Sequence, residues 1–324
     1  MRSGNDRIIL VTGGAGFIGS HLAESLLKRG ERVRILDNFS TGKRENIDAL
    51  MRENPDAAAR FELLEGDIRD TRTLNRATKG VEVILHQAAL GSVPRSVEDQ
   101  LTTKQVNADG TLNVLLAARA HQVARVVYAS SSAVYGDSQI LPRKEGREGK
   151  PMSPYALTKQ VNEEYGRLFN GLYGLGTVGL RYFNVYGPRQ DPSSEYAAVI
   201  PRFVSALLSG SRPTVYGTGE QSRDFTYVQD VVNANILAMD APADACGRVY
   251  NIGRGDQTNL LELLAALQDL LDVKLAPCHE PPRAGDVMHS SADVTLAREA
   301  LGFTAECDLY QGLERSIEWY RKNL

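Results

Sequence analysis

The amino-acid sequence predicts an α/β fold, a doubly wound parallel sheet with a smaller C-terminal lobe. Three observations support this. Short apolar runs alternate with helical patterns through the first half of the chain, as when each parallel strand is followed by a crossover helix. A glycine-rich turn directly follows the first apolar run, which is typical of dinucleotide-binding sheets. The alternation then stops after Arg181, where turn-rich sequence begins.

The elements of the first half are predicted in order from their apolar periodicity. An apolar run at 8–11 predicts a buried strand, and 17–29 an amphipathic helix that ends at Gly30, since glycine readily adopts the left-handed conformation at a helix end. Similar patterns predict further strands at 32–36, 61–64, 81–85, 125–129 and 177–180, and longer helices at 102–121 and 153–171. These strands would form the doubly wound sheet, and the helices would cover its two faces.

The second half is predicted to be a separate, loop-rich lobe. Proline and glycine residues divide its helices, and such residues mark turns. We expect this lobe to lie over the carboxyl ends of the strands, where open α/β sheets bind ligands. The predicted division places 1–181 in the first domain, to which 224–251 return, and 182–324 mainly in the second lobe.

Composition excludes several classes of protein. The 324 residues include 37 basic and 40 acidic side chains, a formal net charge of −3, whereas nucleic-acid-binding domains are usually basic. The uncharged stretch 8–23 holds four glycines and is shorter than the ~18 apolar residues of a membrane span. The first residues lack the pattern of a signal peptide. The three cysteines are widely spaced, so we expect no disulfide framework, no metal site and a cytoplasmic protein.

A dinucleotide-binding turn is predicted between the first strand and the first helix. Gly13, Gly16 and Gly19 have the spacing G-x-x-G-x-x-G, which lets backbone N–H groups approach a pyrophosphate at the positive end of the helix. Asp37 ends the second strand. A carboxylate there accepts a hydrogen bond from a ribose 2′-hydroxyl and repels a 2′-phosphate, which favours NAD over NADP.

A catalytic group is predicted at the start of the second long helix. Tyr155 and Lys159 are four residues apart and share one face of that helix. A phenol with a pKa near ~10 is a poor base at neutral pH, but a neighbouring ammonium favours the phenolate. Ser131 follows the strand at 125–129 and would hydrogen-bond to the substrate hydroxyl that Tyr155 deprotonates.

In this order, the motifs resemble the extended short-chain dehydrogenase/reductase family, and within it the nucleotide-sugar 4-epimerases. The resemblance covers essentially the whole chain. It is carried by 12–19, Asp37 with Asn38, 66–67, 86–89, Asn107, 130–136, Tyr155 with Lys159, 181–187, 223–225 and 283–286. It implies a Rossmann domain that binds NAD and a C-terminal lobe that binds a nucleotide-sugar.

The resemblance also implies roles for individual residues. The implied cofactor contacts are Gly13, Gly16, Phe17, Ile18, Gly19, Asp37, Asn38, Asp67, Ile68, Gln87, Ala88, Ala89, Asn107, Tyr155, Lys159 and Tyr182. Asp67 and Ile68 would lie by the adenine, and Ala88 and Asn107 near the phosphates and ribose. The implied substrate contacts are Ser92, Ser131, Ser132, Tyr155, Asn184, Ala198, Val199, Tyr216, Arg223, Arg283, Asp286 and Ser290. Among them, Asn184, Arg223, Arg283 and Asp286 would hold the diphosphate and its ribose, a role suited to arginine.

Two positions inside these motifs narrow the reaction. Nucleotide-sugar 4,6-dehydratases carry an Asp-Glu pair directly after the active-site hydroxyl residue, and decarboxylating relatives also place a glutamate in this turn. Here the two positions are Ser132 and Ala133, neither of which is a carboxylate. The resemblance therefore implies epimerisation at C4 through a 4-keto intermediate, and not elimination or decarboxylation.

Three segments resemble the bacterial epimerases that act on UDP-N-acetylglucosamine: 88–96, 196–201 and 289–293. In this family, the residue four positions after the Asp of the Arg-x-Gly-Asp motif limits the sugar pocket, and here it is Ser290. A serine would leave room for an acetamido group. Two alternatives stay open: the three segments reflect shared ancestry without shared substrate, or Ser290 is a capping hydroxyl ahead of a helix at 293–302.

The predicted function is thus NAD-dependent C4 epimerisation of a UDP-sugar, with UDP-GlcNAc/UDP-GalNAc accepted in preference to UDP-Glc/UDP-Gal. The alternatives are a UDP-glucuronate 4-epimerase, a one-way NAD-dependent oxidoreductase and a non-catalytic NAD-binding scaffold of the same fold. His86 is interpreted as a packed structural histidine. The helices at 102–121 and 153–171 match the pair that family members use to form a homodimer, so we expect a homodimer with no nucleic-acid or membrane partner.

Overall fold

The computed structural model describes residues 7–192, 197–282 and 287–323. The strands are β1 (Ile8–Thr12), β2 (Arg32–Asp37), β3 (Phe61–Glu65), β4 (Val81–His86), β5 (Arg125–Ser131), β6 (Gly176–Tyr182), β7 (Val185–Tyr186), β8 (Thr214–Tyr216), β9 (Ser222–Arg223), β10 (Thr226–Tyr227), β11 (Arg248–Ile252), β12 (Thr258–Asn259) and β13 (Cys278–Glu280). The α-helices are α1 (Phe17–Lys28), α2 (Arg44–Glu53), α3 (Thr71–Thr78), α4 (Val93–Glu98), α5 (Gln100–Lys104), α6 (Gly110–Ala120), α7 (Pro154–Tyr173), α8 (Val199–Leu208), α9 (Val228–Asp240), α10 (Leu260–Leu271), α11 (Thr295–Leu301) and α12 (Leu309–Asn323).

In the described part of the chain, seven strands form one sheet in the order β11-β6-β5-β4-β1-β2-β3, with every pair parallel. This confirms the predicted doubly wound sheet. From β1 the chain builds outward through β2 and β3, then returns to add β4, β5 and β6 on the other side. The reversal between β1 and β4 leaves a crevice at the carboxyl ends of the strands, the ligand-binding position of open α/β sheets.

Apolar side chains cover both faces of the sheet. One buried cluster joins the sheet to α1, α9 and α11, and a second joins it to α3 and α6. Since β11 pairs with β6, the chain returns to the sheet after the second lobe has begun. The domain boundaries themselves stay a prediction.

A third buried cluster forms the centre of the C-terminal lobe. It is built from α8, α10 and α12, and Phe17 and Ile18 at the start of α1 pack against it. The glycine-rich turn therefore touches both lobes. This contact fixes the C-terminal lobe over the carboxyl ends of the strands.

The prediction of a single helix at 102–121 is wrong in one respect. The chain instead forms α5, a π-helical turn at Gln105–Asp109, and α6. Asn107 lies in this turn, where its side chain accepts a hydrogen bond from Leu90 N at 2.8 Å and donates to Leu90 O at 3.1 Å. Such π-turns often occur at functional sites. Apolar periodicity does not reveal this turn, because it depends on a tertiary contact.

Candidate functional site

A cleft of about 470 Å³ opens at the crevice between β1 and β4. It is lined by most of the predicted cofactor residues: Gly13, Gly16, Phe17, Ile18, Gly19, Asp37, Asn38, Asp67, Ile68, Gln87, Ala88, Ala89, Tyr155, Lys159 and Tyr182. Four predicted substrate residues also line it: Ser131, Ser132, Tyr155 and Asn184. A larger hollow of about 1130 Å³ between α1, α2 and α12 contains none of the predicted site residues.

The glycine-rich turn has the geometry that a pyrophosphate requires. Gly13 has a φ of +69°, and a Cβ there would lie 2.7 Å from Ala88 N. A Cβ on Gly19 would lie 2.1 Å from Gly13 O, so the turn is closed to any larger residue. Gly16 precedes α1 without a side-chain cap, and the first turn of α1 has no acidic residue. The positive helix end is thus left for a phosphate group, and these residues fit NAD.

Asp37 is held in a fixed orientation at the end of β2. Its carboxylate accepts hydrogen bonds from Ala15 N at 2.9 Å and Phe39 N at 2.8 Å. Burial raises the pKa of this carboxyl, and these backbone N–H groups oppose the rise. A carboxylate has about four lone-pair sites, so it can also accept from a ribose hydroxyl.

Asn38 and Asp67 lie together at the end of the cleft predicted for the adenine. Asn38 donates to the Asp67 carboxylate at 2.8 Å. Hydrogen bonds from Arg69 lower the pKa of Asp67 to about 2. Asp67 is therefore an anion at neutral pH and acts as a hydrogen-bond acceptor.

Ser131, Tyr155 and Lys159 meet where β5 ends and α7 begins. Ser153 accepts a hydrogen bond from Ala156 N, which caps α7 and places Tyr155 in its first turn. Ser131 and Tyr155 line the same cleft, and the Ser131 side chain is close enough to the Tyr155 hydroxyl to lower its pKa. The Lys159 Nζ atom donates to Ala129 O at 2.8 Å and lies 5.8 Å from the centre of the Tyr155 ring.

Burial dominates the acid–base properties of this group. It raises the pKa of Tyr155, and the neighbouring Ser131 side chain opposes the rise. It also lowers the pKa of Lys159 to about 8. The sequence predicts that Lys159 favours the phenolate. In the protein alone burial instead raises the pKa of Tyr155, so Tyr155 is a neutral phenol until a nearby positive charge lowers its pKa.

Asn235 supports the cofactor cleft and was not predicted. It is fully buried on α9 and donates to the Tyr182 hydroxyl at 2.8 Å, while Gln87 donates to Asn235 Oδ1 at 3.1 Å. Asn235 is one of several polar residues of α9, so nothing in the helix sequence distinguishes it. The sequence did not predict its role because its partners Gln87 and Tyr182 are distant along the chain.

Asn107 differs from its predicted role as a direct cofactor contact. It is fully buried and does not line the cleft, and its amide is hydrogen-bonded to the Leu90 backbone and to Thr158. It therefore positions the loop after β4 that carries Ala88 and Ala89. Ser92, also predicted in this loop, accepts from Arg95 N at the start of α4 and does not line the cleft.

The remaining predicted substrate residues fall into two groups. Ala198, Val199, Tyr216, Arg223 and Ser290 lie in the C-terminal lobe and do not line the 470 Å³ cleft. Arg283 and Asp286, like residue 196 of the predicted 196–201 segment, lie outside the described residues. Their roles stay predictions.

The backbone of 222–224, hydrogen-bonded at Asp224 to Asn184 and at Ser222 to Ser290, connects the cleft with Arg223 and Ser290. Asn184, which lines the cleft, donates to the carbonyl of Asp224 at 3.2 Å. The preceding residues form β9, and Ser290 N donates to Ser222 O at 3.1 Å. Ser290 is only 6% exposed. Its predicted alternative role as a helix cap is wrong, because the next helix starts at Thr295 and Asp293 accepts from that residue's N–H.

His86 has a structural environment. It is buried, its Nδ1 lies 2.6 Å from the Thr12 hydroxyl and its Nε2 lies 2.9 Å from the Thr111 hydroxyl. Burial lowers its pKa to about 3, so the ring is neutral. Within 7–192, 197–282 and 287–323, no cluster of three metal-ligating side chains occurs. No helix in those same ranges is long and apolar enough to cross a membrane.

The chain is similar to known proteins over nearly its whole length. A model of the "NAD dependent epimerase/dehydratase family" matches residues 9–253. The chain is 41% identical over 318 residues, covering 98% of this chain and 99% of its relative, to a putative UDP-glucose 4-epimerase of Methanocaldococcus jannaschii.

Two solved structures are similar along nearly their whole length. The UDP-N-acetylglucosamine 4-epimerase of Methanobrevibacter ruminantium, in complex with UDP-N-acetylmuramic acid, has a TM-score of 0.92 and 38% identity, covering 99% of this chain and 100% of its own. The UDP-glucose 4-epimerase of Thermus thermophilus, in complex with NAD, has a TM-score of 0.87 and 36% identity, covering 98% and 100%.

These matches confirm the predicted resemblance, the predicted enzyme class and NAD as the cofactor. The family description names NAD, and the glycine turn, the uncapped helix and Asp37 are the residues that would hold it. The chain belongs to the NAD dependent epimerase/dehydratase family.

Proposed function

We propose that this protein is a UDP-sugar 4-epimerase whose preferred substrates are UDP-GlcNAc and UDP-GalNAc. The observation that carries the proposal is the group Ser131, Tyr155 and Lys159, which line one cleft together with the cofactor residues, with the Lys159 Nζ atom 5.8 Å from the centre of the Tyr155 ring. A scaffold protein of this fold would not need these three side chains together. The similarity to UDP-sugar 4-epimerases over nearly the whole chain supports the activity.

The side chains would act on the hydroxyl at C4 of the sugar. Tyr155 takes the proton from this hydroxyl while Ser131 holds the oxygen by a hydrogen bond. The Lys159 ammonium favours the phenolate form of Tyr155. When bound, NAD would accept the C4 hydride and return it, so that the sugar passes through a 4-keto form. The positive charge of the oxidised nicotinamide would add to that of Lys159.

The residues after Ser131 favour epimerisation over elimination. Ser132 and Ala133 line the cleft directly after Ser131, and neither carries a carboxylate. Removal of water from the sugar would need an acid and a base at this place. Tyr155 alone is sufficient to take one proton and give it back, which is what epimerisation requires.

The small size of Ser290 supports an N-acetylated substrate. The sugar must turn before C4 can be inverted, so the residues beside C2 limit which sugars react. Ser290 is buried next to β9, and β9 contains Arg223, which is predicted to bind the diphosphate. A second candidate is a plain hexose, since a similar chain is named putative UDP-glucose 4-epimerase.

The proposal is tested by incubating the purified protein with single UDP-sugars and following the C4 epimers by NMR without added cofactor. We expect conversion of UDP-GlcNAc and UDP-GalNAc at a higher kcat/KM than UDP-Glc and UDP-Gal. Conversion of UDP-glucuronate alone would support the uronate alternative. A net oxidised product, formed only with added NAD, would support a one-way oxidoreductase.

We further propose that the protein forms a homodimer through α5, α6 and α7. Helices α4, α5 and α6 pack around α7 and leave exposed apolar side chains at Val97, Leu101, Leu116, Leu157, Leu168 and Leu172. Leu157, Leu168 and Leu172 share one face of α7 by their spacing. Leu101 is 67% exposed and Leu172 is 68% exposed, which favours burial against a second copy.

Light scattering at micromolar concentration is expected to give twice the mass of one chain. Leu157→Lys with Leu172→Lys should convert the dimer to a monomer, because buried lysines without partners oppose association. Leu208→Lys, at an exposed leucine on α8, should remain a dimer. A wild-type monomer at this concentration would contradict the proposed interface.

A further inference from the structure

A buried ion network lies directly behind the catalytic group. Arg181 on β6 is only 3% exposed in its side chain and forms salt bridges with Glu163 of α7, at 2.7 Å, and with Glu148. A second hydrogen bond joins Arg181 Nε to Glu163 at 2.9 Å. The Arg181 guanidinium also donates to the Tyr135 hydroxyl at 3.0 Å. None of these groups takes part in the chemistry described above.

Glu163 also contacts the strand that carries Ser131. The Ser130 hydroxyl donates a hydrogen bond to the Glu163 carboxylate. Ser130 is 3% exposed, so water does not compete for this bond. A charged acceptor in such a place makes a stronger hydrogen bond than a neutral one.

Three side chains of α7, spaced about one helical turn apart, thus contact the end of β5. Tyr155, Lys159 and Glu163 are spaced at i, i+4 and i+8 and lie on one face of the helix. Tyr155 lies beside Ser131 in the cleft, and Lys159 donates to the carbonyl of Ala129 at 2.8 Å. Glu163 completes the row by accepting from Ser130.

We propose that Glu163 is a positioning residue for the epimerase reaction, which fixes the end of β5 behind Ser131 and holds a buried negative charge one helical turn from Lys159. The inference rests on the proposed function. Glu163 does not line the cleft, so it acts through Lys159 and Ser130 and touches neither substrate nor cofactor.

The charges around Glu163 explain why its removal would change the pKa of Lys159. The titratable or charged groups near it are Arg181 on β6, Tyr128 on β5, Tyr135 after β5, Glu148 in the loop before α7, and Lys159 and Glu164 on α7 itself. Lys159 and Arg181 are both buried cations, and Glu163 is near both. Burial lowers the pKa of Lys159, and the charge of Glu163 opposes this.

The test compares the pH dependence of kcat for wild type, Glu163→Gln and Glu163→Asp. In Glu163→Gln the fall in kcat at high pH should move to lower pH by roughly one unit, because removal of a neighbouring negative charge disfavours the ammonium. The ratio of wild-type to variant kcat should rise from near one at pH 6 to about five at pH 8. Glu163→Asp keeps the charge and should keep the wild-type high-pH limb.

Two further measurements separate this effect from loss of the fold. Glu164→Gln changes the next residue, an exposed glutamate paired with Arg167, and should leave the pH profile unchanged. NMR titration of ¹³C-labelled lysine, assigned with Lys159→Arg, should show a lower pKa for Lys159 in Glu163→Gln without any turnover. Thermal unfolding of each variant reports on the fold itself.

The outcomes distinguish failure of the inference from failure of the proposed function. If wild type epimerises UDP-sugars but Glu163→Gln and Glu163→Asp lower kcat equally at all pH values, Glu163 has only a structural role and the inference is wrong. A Lys159 titration that does not differ between wild type and Glu163→Gln would also overturn it. If wild type converts no UDP-sugar, the proposed function fails, while the lysine titration still tests the charge effect.

Discussion

Tyr155→Phe is expected to lower kcat for UDP-GlcNAc epimerisation by about 10²–10⁴-fold, the range typical of a lost general acid–base group. The phenylalanine ring preserves the packing of Tyr155 beside Lys159 and removes only the hydroxyl, whose pKa Ser131 lowers. Binding of UDP-sugar, measured by calorimetry, should be largely kept, since the hydroxyl would act on one proton at C4. The rate is measured by NMR from the appearance of the C4 epimer.

Tyr165→Phe is the matched control, because it removes a hydroxyl from the same helix where Tyr165 packs against the apolar cluster below the sheet. It should have near wild-type kcat. Near-normal turnover in Tyr155→Phe would remove Tyr155 from the mechanism. Equal losses in both variants would indicate a general disturbance of α7.

Ser290→Tyr is expected to change substrate preference. If Ser290 forms the wall beside C2 of the sugar, a phenol ring there occupies the space of the acetamido group. The ratio of kcat/KM for UDP-GalNAc to that for UDP-Gal should then fall by at least about tenfold. Activity on UDP-Gal should be retained or raised, because this sugar has only a hydroxyl at C2.

Met288→Tyr serves as the control for Ser290→Tyr. It adds the same ring two residues earlier, at a side chain that is 53% exposed, and should leave the ratio unchanged. An unchanged ratio in Ser290→Tyr would show that Ser290 does not line the sugar pocket. Equal losses on both substrates would mean that the buried segment beside β9 has been disrupted.

The sequence was sufficient to predict the architecture and most of the residues that line the cofactor cleft. Apolar periodicity identified six of the seven sheet strands in the described part of the chain to within a few residues at their ends, but not β11. Strand–helix alternation predicted the parallel topology. The glycine spacing and Asp37 lie close together in sequence around β1, α1 and β2. A local motif of this kind can be predicted from the sequence, because the same short segment both forms the turn and binds the ligand.

Contacts between distant segments were decided only by the tertiary structure. Asn107 was expected beside the cofactor, but a π-turn directs its amide to Leu90. Asn235 reaches the cleft because α9 returns to the sheet. Neither contact has a sequence signal, since the hydrogen-bond partners are far apart along the chain and are brought together only by packing.

The acid–base state of the catalytic group also depends partly on the sequence and partly on the tertiary structure. The sequence by itself determined which groups are present: a phenol and an ammonium at helical spacing, and serines at a strand end. Only the tertiary structure decided their protonation, because burial raises the pKa of Tyr155 and lowers that of Lys159. Glu163 shares the helix face of Lys159 in any helix, but the fold alone places it against Arg181 and Ser130. Desolvation and charge pairing depend on three-dimensional neighbours, and the spacing of residues along one helix does not reveal them.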